Sequence, residues 1–455
     1  MYRLTTDGEV APMLATAMPT VSDDGLTVTI PVRTDAVFSD GTPLDAEAVA
    51  VSLRRQIEDP QSARASEMGP IRSVETVDES TVRVSYERPF APLLSALVAG
   101  GGVVYSPTAL EEYGNDDIGN HITCVGPFTV EERVPQTSIT LKRNPDYYAA
   151  DDIHLDSIVF RVMPDSSVRA TNLRAGDVQA TDVVSSQDVD SMMADDAVVV
   201  LNQSSLGYNH VNFNLANQGP NAESKPIDGP SADPVVRQAF SMAVDRENLV
   251  SSVFDGWFES NCSPIPPASG LTSDLSDACP EYDPEGARAL LEENGVKTPV
   301  SIDLKVINSP DNLRFSQALQ AMVAEAGFEI DVQPLDVSTF MADAINGNYE
   351  AILSSWSGRL DPNGNMYNFL AESGGLNWNG YANPAVTDLL DRAQAALDVD
   401  ERIDLYGQAM ELVHEDNPAV YLYRIRNLAG LSVDLAGVDL LIDGIVDVSR
   451  AARVE

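Results

Sequence analysis

Val300-Ser301-Ile302-Asp303-Leu304-Lys305-Val306-Ile307 alternates apolar and other side chains, and Ser309-Pro310 follows almost at once. The alternation predicts a strand with Val300, Ile302, Leu304 and Val306 on one buried face. Ser309-Pro310 opens a helix that carries Phe315, Leu319, Met322, Val323 and Ala326 on one side, and Gly327 ends it. A second strand follows at 328–332. Strand, helix and strand in this order form a βαβ unit, which predicts that the two strands are parallel. A short helix near 339–345 then leads into a strand at 350–355. The fold class set by this stretch is α/β.

Outward from it, helices dominate on the carboxyl side and strands on the amino side. Asp283-Pro284-Glu285 is a helix start, with Gly295 just past the last turn. Two long helices follow the central stretch: one carries Val386, Leu389, Leu390, Ala393 and Leu397, the other Ile403, Tyr406, Met410 and Val413. Upstream, Asn209, Val211, Phe213 and Leu215 mark an alternating segment. Residues 218–232 are rich in Pro, Gly, Asn and Ser and read as a surface loop. A helix starts at Val235, and Asp245 caps another over 246–254. In the first third, 26–33 and 81–86 alternate as half-buried strands, and Asp40-Gly41 makes a turn. Asp45 caps a helix to about residue 58 with Val49, Leu53 and Ile57 on one stripe, and Pro60 stops it. Strands are expected at 138–141 and 157–162, and a helix at 166–175 closed by Gly176.

The chain has 455 residues, enough for two or three domains at about 100–200 residues each. With 44% hydrophobic and 22% charged residues it has a globular composition. No apolar run reaches the roughly 18 residues that span a bilayer. The longest, 92–105, is interrupted by Gly100-Gly101-Gly102. The first eight residues hold no apolar signal region, so the chain is expected to carry no export address of its own.

The formal net charge is −42, and only Lys142, Lys225, Lys297 and Lys305 are lysines. Such a chain has nothing to neutralise a phosphate backbone, which excludes a nucleic-acid partner. The charge reads as a solubility device suited to a salty medium; the alternative is a specific acidic interaction surface. Of the three cysteines, Cys262 and Cys279 flank the Pro-rich Ser263-Pro264-Ile265-Pro266-Pro267. They either pair in an oxidising compartment, leaving Cys124 odd, or stand as independent buried thiols. Their spacing fits no zinc signature.

Ligands of open α/β sheets bind beyond the carboxyl ends of the strands. The strand at 350–355 empties into Trp356-Ser357-Gly358-Arg359-Leu360-Asp361-Pro362, which supplies an aromatic wall, a close-approach glycine, a cation and an anion. This is the candidate ligand-binding loop. The alternative is a capped loop with a half-buried tryptophan and an Arg359–Asp361 surface pair of small energetic worth. Asn377-Trp378-Asn379 is a second aromatic–polar cluster, with Trp378 equally suited to the core, and Tyr105 completes the candidate ligand-binding residues.

Catalytic signatures are missing. There is no phosphate-binding Gly-Lys-Ser/Thr loop, no dinucleotide fingerprint, no two-histidine metal helix and no Gly-x-Ser-x-Gly elbow. Glu411-x-x-His414 reads as a solvated helix face. No catalytic residue, metal ligand or cofactor is therefore assigned.

Several segments resemble one family in order along almost the whole chain. They are Phe38-Ser39-Asp40-Gly41-Thr42-Pro43-Leu44-Asp45-Ala46-Glu47; Val125-Gly126-Pro127-Phe128; Leu141-Lys142-Arg143-Asn144-Pro145-Asp146-Tyr147-Tyr148; and Ile158-Val159-Phe160-Arg161 with Ala175-Gly176-Asp177. Val236-Arg237-Gln238-Ala239-Phe240, Ala243-Val244-Asp245-Arg246, Tyr282-Asp283-Pro284-Glu285-Gly286-Ala287 and Asn383-Pro384 complete the series. The chain resembles the peptide-type (dipeptide, oligopeptide and nickel) extracytoplasmic solute-binding proteins of ABC transporters, solute-binding protein family 5.

That resemblance implies a periplasmic-binding-protein-like two-lobed clamp of type II with an extra inserted domain. Residues 1–123 would be mostly the inserted domain, 124–258 with 428–455 lobe one, and 259–427 lobe two. It implies a monomer that binds a peptide or other small molecule, docks on ABC permease subunits and works outside the cytoplasm, periplasmic or lipid-anchored at the cell surface. Members begin with an export signal, often a lipid-anchored cysteine, and then a first strand of lobe one that contacts the ligand in peptide binders. This chain starts after both, which predicts a trimmed chain or a clamp without that strand. Peptide binders often carry an acid three positions after the tryptophan matching Trp356, where it holds the ligand's amino terminus; here that position is Arg359. A guanidinium repels an ammonium and favours a carboxylate or phosphate, so an anionic or non-peptide solute competes with the peptide expectation. Asp361, two residues on, remains a candidate for the amine. The competing functions are a secreted hydrolase of peptides or glycans and a ligand-sensing receptor domain.

Overall fold

The computed structural model describes residues 1–59, 62, 64–219 and 225–454. The chain forms two compact units, Met1–Gln203 with Asn427–Glu455, and Ser204–Arg426. The sequence expectation set the first lobe junction at 258/259, so residues 204–258 lie with the second unit rather than the first. The physical reason is packing. Val211 and Phe213, and the helices Pro234–Met242 and Arg246–Phe254, share one apolar core with the central βαβ stretch.

The second unit is built on a six-stranded mixed sheet. Its order is Glu259–Ser260, Ala419–Arg424, Tyr208–Phe213, Ala351–Trp356, Val300–Ile307 and Phe328–Leu335. The expected βαβ unit is present: Val300–Ile307 runs parallel to Phe328–Leu335 from Val300↔Phe328 to Ile307↔Leu335. Ala351–Trp356 is parallel to Val300–Ile307 and antiparallel to Tyr208–Phe213, with Tyr208 opposite Trp356. Helices cover both faces. One face packs Phe240, Leu249, Leu291, Phe315 and Leu319 against Ile302, Leu304 and Leu353. The other packs Met366, Leu390, Tyr406 and Met410 against Tyr208 and Tyr421, with Phe340 and Ala344 on Ile352 beside them.

Burial on both faces explains one departure from the sequence pattern. Residues 208–213 are buried without alternation, because Val211 and Phe213 enter one core while Tyr208 enters the other. Local signals set the helix ends as expected. Ser309 caps Pro310–Ala324 through its hydroxyl and Asp283 caps Pro284–Glu293 through its carboxylate, each with proline in the first turn.

The first unit holds a four-stranded antiparallel sheet in the order Thr20–Val21, Thr27–Pro31, Thr81–Tyr86, Ile71–Asp78. Helix Ala46–Glu58, capped by Asp45, buries Val49 and Leu53 in the apolar cluster that this sheet shares. Pro60, expected to stop that helix, lies outside the described residues, as do 220–224 of the expected 218–232 loop. A separate three-stranded sheet pairs Phe128–Val134, Ser138–Arg143 and Ser157–Arg161. In a further sheet, Val198–Ser204 and Arg426–Ser432 lie side by side. These are the two strands by which the chain leaves this unit and returns to it.

Candidate functional site

The strand directions bring four carboxyl ends to one edge of the sheet in the second unit. Ala351–Trp356, Val300–Ile307 and Phe328–Leu335 run the same way. Ala419–Arg424 is antiparallel to Tyr208–Phe213, as Ala351–Trp356 is, so it ends at that edge too, beside the start of Tyr208–Phe213. Residues 356–361 leave the sheet there, at the place where open α/β sheets bind ligands.

Two glycines fix how the loop leaves. Gly358 has φ +82°, a left-handed conformation that glycine adopts without strain. A β-carbon on Gly358 would lie 2.2 Å from the carbonyl carbon and oxygen of Leu206. Reciprocally, one on Gly207 would lie 2.5 Å from the Trp356 carbonyl oxygen. The two backbones interleave because neither carries a side chain.

Asn365, fully buried in helix Asn363–Leu370, is the hub of the loop. Its Oδ1 accepts from the Trp356 indole N–H at 3.0 Å and from the Arg359 main-chain N–H at 2.7 Å. Its Nδ2 donates to the Arg359 carbonyl at 2.9 Å, and its own carbonyl accepts from the Tyr208 hydroxyl at 3.0 Å. With its ring nitrogen held there, Trp356 meets Phe369 edge to face at 5.1 Å. The Arg359 guanidinium carbon stands 4.6 Å from the centre of the Trp356 ring, within cation–π range. Gly364 makes room for the arginine stem, since a β-carbon there would meet Arg359 Cγ at 2.5 Å. Arg359 is thus seated between an indole and a glycine, while Ser355 and Ser357 are exposed beside it.

Asp361 has a different role from its neighbours. Arg402 Nη2 donates to both of its oxygens at 2.8 Å, and the two side chains are only 9% and 12% exposed. Asp361 Oδ1 also accepts from the Asn363 N–H at 2.9 Å, which starts the next helix. Burial works against the Arg402 charge, but Asp361 and Tyr406 more than offset it and hold the guanidinium above its usual pKa. This carboxylate is engaged in the framework of the loop.

The remaining sequence candidates are Asn377, Trp378 and Tyr105. The Asn377 amide donates to the carbonyls of Ala371 and Tyr381 at 3.0 and 2.8 Å and closes its own turn. Trp378 packs on the Phe340, Ala344, Tyr349 and Ile352 cluster, and its carbonyl accepts from Tyr349 and Asn217. Tyr105 belongs to the first unit, where the Arg55 guanidinium lies 4.7 Å from its ring centre.

Cys262 and Cys279 are joined by a disulfide with Cα atoms 5.4 Å apart. The Glu411-x-x-His414 face differs from its sequence reading. His414 is largely buried, its Nε2 lies 2.8 Å from the Cys262 carbonyl, and burial lowers its pKa. Sequence reasoning missed Asn365, Gly207, Arg402 and Arg424. Gly207 alone had a usable signal, a glycine just before an alternating segment. Among the described residues no cluster of metal-ligating side chains is present, and no helix is long and apolar enough to cross a membrane.

Residues 9–377 match the family described as bacterial extracellular solute-binding proteins, family 5 Middle. The dipeptide-binding protein of Escherichia coli (strain K12) is 26% identical over 446 residues, spanning 91% of this chain and 81% of that protein. The glutathione-binding protein GsiB of Shigella flexneri serotype 5b (strain 8401) is 27% identical over 439 residues, spanning 93% and 82%. In fold, NikZ from Campylobacter jejuni in complex with Ni(L-His) superposes with a TM-score of 0.88 at 20% identity, covering 99% of this chain and 93% of that one.

Proposed function

Because the chain belongs to the bacterial extracellular solute-binding proteins, family 5, we propose that it captures a peptide or peptide-like solute and delivers it to the permease of an ABC importer. The fold matches the two-lobed binding proteins of that family. The named relatives of similar sequence are binding proteins for a dipeptide and for glutathione. The mechanism is capture without bond making: solute contacts that exist only in a closed state shift an open–closed equilibrium, and the closed form is what the permease reads.

The observation that carries the assignment of the site is the Arg359–Trp356 arrangement at the carboxyl edge of the sheet. An indole face, a guanidinium and two exposed serines suit an extended solute with an anionic group. Asp361 is engaged by Arg402, and the group proposed to meet a solute's anionic end is Arg359. The proposed ligands are therefore peptides or peptide-like anions held by a carboxylate at Arg359, and glutathione, with its two carboxylates, is the first probe to try.

Small-angle scattering tests the mechanism. The radius of gyration is measured alone and with saturating glutathione or a mixed dipeptide pool, with calorimetry confirming occupancy. Compaction on binding supports capture by closure. A bound solute that leaves the scattering profile unchanged contradicts it.

A further inference from the structure

Arg424 is a cation that the binding reading leaves unused, although it is 3% exposed and lies next to the candidate loop. It ends strand Ala419–Arg424 at the edge where Trp356 leaves the sheet. Its described hydrogen bonds all go to carbonyl oxygens. Nη1 donates to Leu206 and Gly207 at 3.0 and 2.8 Å. Nη2 donates to Ser263 and Ile265 at 2.9 Å each and to the Asn261 side-chain oxygen at 3.3 Å. Burial lowers its pKa to about 10, with Tyr208, Glu259 and Asp277 pulling the other way, so it keeps its charge at neutral pH.

The two sets of acceptors have different owners. Ser263 and Ile265 stand in the loop that the Cys262–Cys279 disulfide closes, and His414 holds the Cys262 carbonyl from a helix behind it. Leu206 and Gly207 form the peptide on which Gly358 rests, and Gly207 in turn rests on Trp356. One guanidinium therefore joins a covalently closed loop to the backbone that supports residues 356–361. A planar group with donors on two arms can bridge two backbones in this way; an ammonium cannot reproduce the geometry.

We propose that Arg424 is a positioning residue for the solute-binding loop, with the Cys262–Cys279 disulfide as its anchor. The rigidity of the crosslinked loop passes through the guanidinium to Leu206 and Gly207, and from there to Gly358 and Trp356. This rests on the reading of 356–361 as the binding loop. It adds that the register of that loop depends on a disulfide whose nearer cysteine, Cys279, lies 77 positions upstream of Trp356 (356 less 279).

Hydrogen exchange on the intact chain, with no ligand added, is the test. Dithiothreitol reduces the disulfide to two thiols, giving up two electrons and two protons as it closes to its own cyclic disulfide. The amides at 204–208 and 356–365 are compared before and after reduction, with 300–307 and 328–335 as reference strands. Acceleration of about tenfold or more at both reporter segments, with the reference strands unchanged, is the expected result. Acceleration confined to 261–283 overturns the proposal, and so does uniform acceleration that includes the reference strands. Arg424→Lys in the oxidised protein is expected to loosen the same two segments while the crosslinked loop stays protected. A second readout follows Trp356 alone, in a Trp257→Phe/Trp378→Phe background, where reduction is expected to red-shift its emission. An unchanged spectrum counts against the coupling. Neither readout involves a solute, so a failure of the transport reading shows separately, as a failure of every solute to bind.

Discussion

Arg402 reaches both carboxylate oxygens of Asp361 with a single nitrogen, at 2.8 Å each, and the same nitrogen lies 3.0 Å from the Tyr406 hydroxyl. An acid that the sequence offers as a partner for a solute's amino group is thereby drawn into the base of the loop. The two residues are 41 positions apart, and the pair ties the start of helix Asn363–Leu370 to helix Val399–Asp416.

Breaking this pair from one side leaves a buried carboxylate without its cation. Arg402→Met is expected to cost about 3–5 kcal/mol in urea denaturation. Asp361→Asn combined with Arg402→Met is expected to cost clearly less than the sum of the two single changes. Additive costs would mean that the two side chains do not act as a pair.

Gly358 and Gly256 share a positive φ, +82° and +76°, but only Gly358 is crowded. Gly256→Ala is expected to cost about 1–2 kcal/mol, the strain of a left-handed alanine. Gly358→Ala adds a clash with the Leu206 carbonyl and is expected to cost roughly a further 1–3 kcal/mol. Denaturation midpoints of the two variants compare them directly, and equal costs would place Leu206 further from Gly358 than described.

His210 is buried between Tyr208 and Tyr421, and its Nδ1 has no hydrogen-bond partner among the described residues. Burial lowers its pKa from 6.5 to about 3. The unfolded chain takes up a proton near pH 6.5 that the folded chain refuses until about pH 3. Stability from this residue is therefore complete above pH 6.5 and declines as pH falls towards 3, by roughly 1.4 kcal/mol per pH unit. His210→Phe is expected to flatten the stability profile by that slope between pH 6 and 4. Parallel profiles for the two proteins would refute a neutral, buried His210.

The Cys262–Cys279 crosslink spans 17 positions. A loop of that size restricts the unfolded chain by about 3 kcal/mol in the chain-entropy picture. Cys262→Ser combined with Cys279→Ser is expected to lower stability by about that amount. A loss well under 1 kcal/mol would show that the loop is held by Arg424 and His414 without help from the disulfide.

The parts of the fold legible in the sequence are those where one residue type carries one meaning. Alternation from Val300 to Val306, the proline after Ser309 and Gly327 place a βαβ unit because apolar period and turn chemistry agree. Residues 208–213 are harder, since Asn209, His210 and Asn212 are polar yet buried, covered by the helices packed on both faces of the sheet. The candidate loop was legible as a position, the end of a strand. Its support was not. No motif or periodicity in the sequence singles out Asn365 or Arg424. Their roles come from backbone carbonyls and amides that approach only after folding, which no side-chain pattern records. The pairing of Cys262 with Cys279 was undecidable for a related reason, because spacing sets no Cα separation.

The central claim is that a solute's carboxylate is held by Arg359 over Trp356. Calorimetric titration of the wild-type protein and Arg359→Gln with glutathione and with a mixed dipeptide pool tests it most directly. The expected result is binding by the wild type that weakens by at least about tenfold in the variant, as loss of a charge-assisted contact implies, with the thermal midpoint unchanged. Equal affinity in the two proteins, or no binding from either probe, would contradict it.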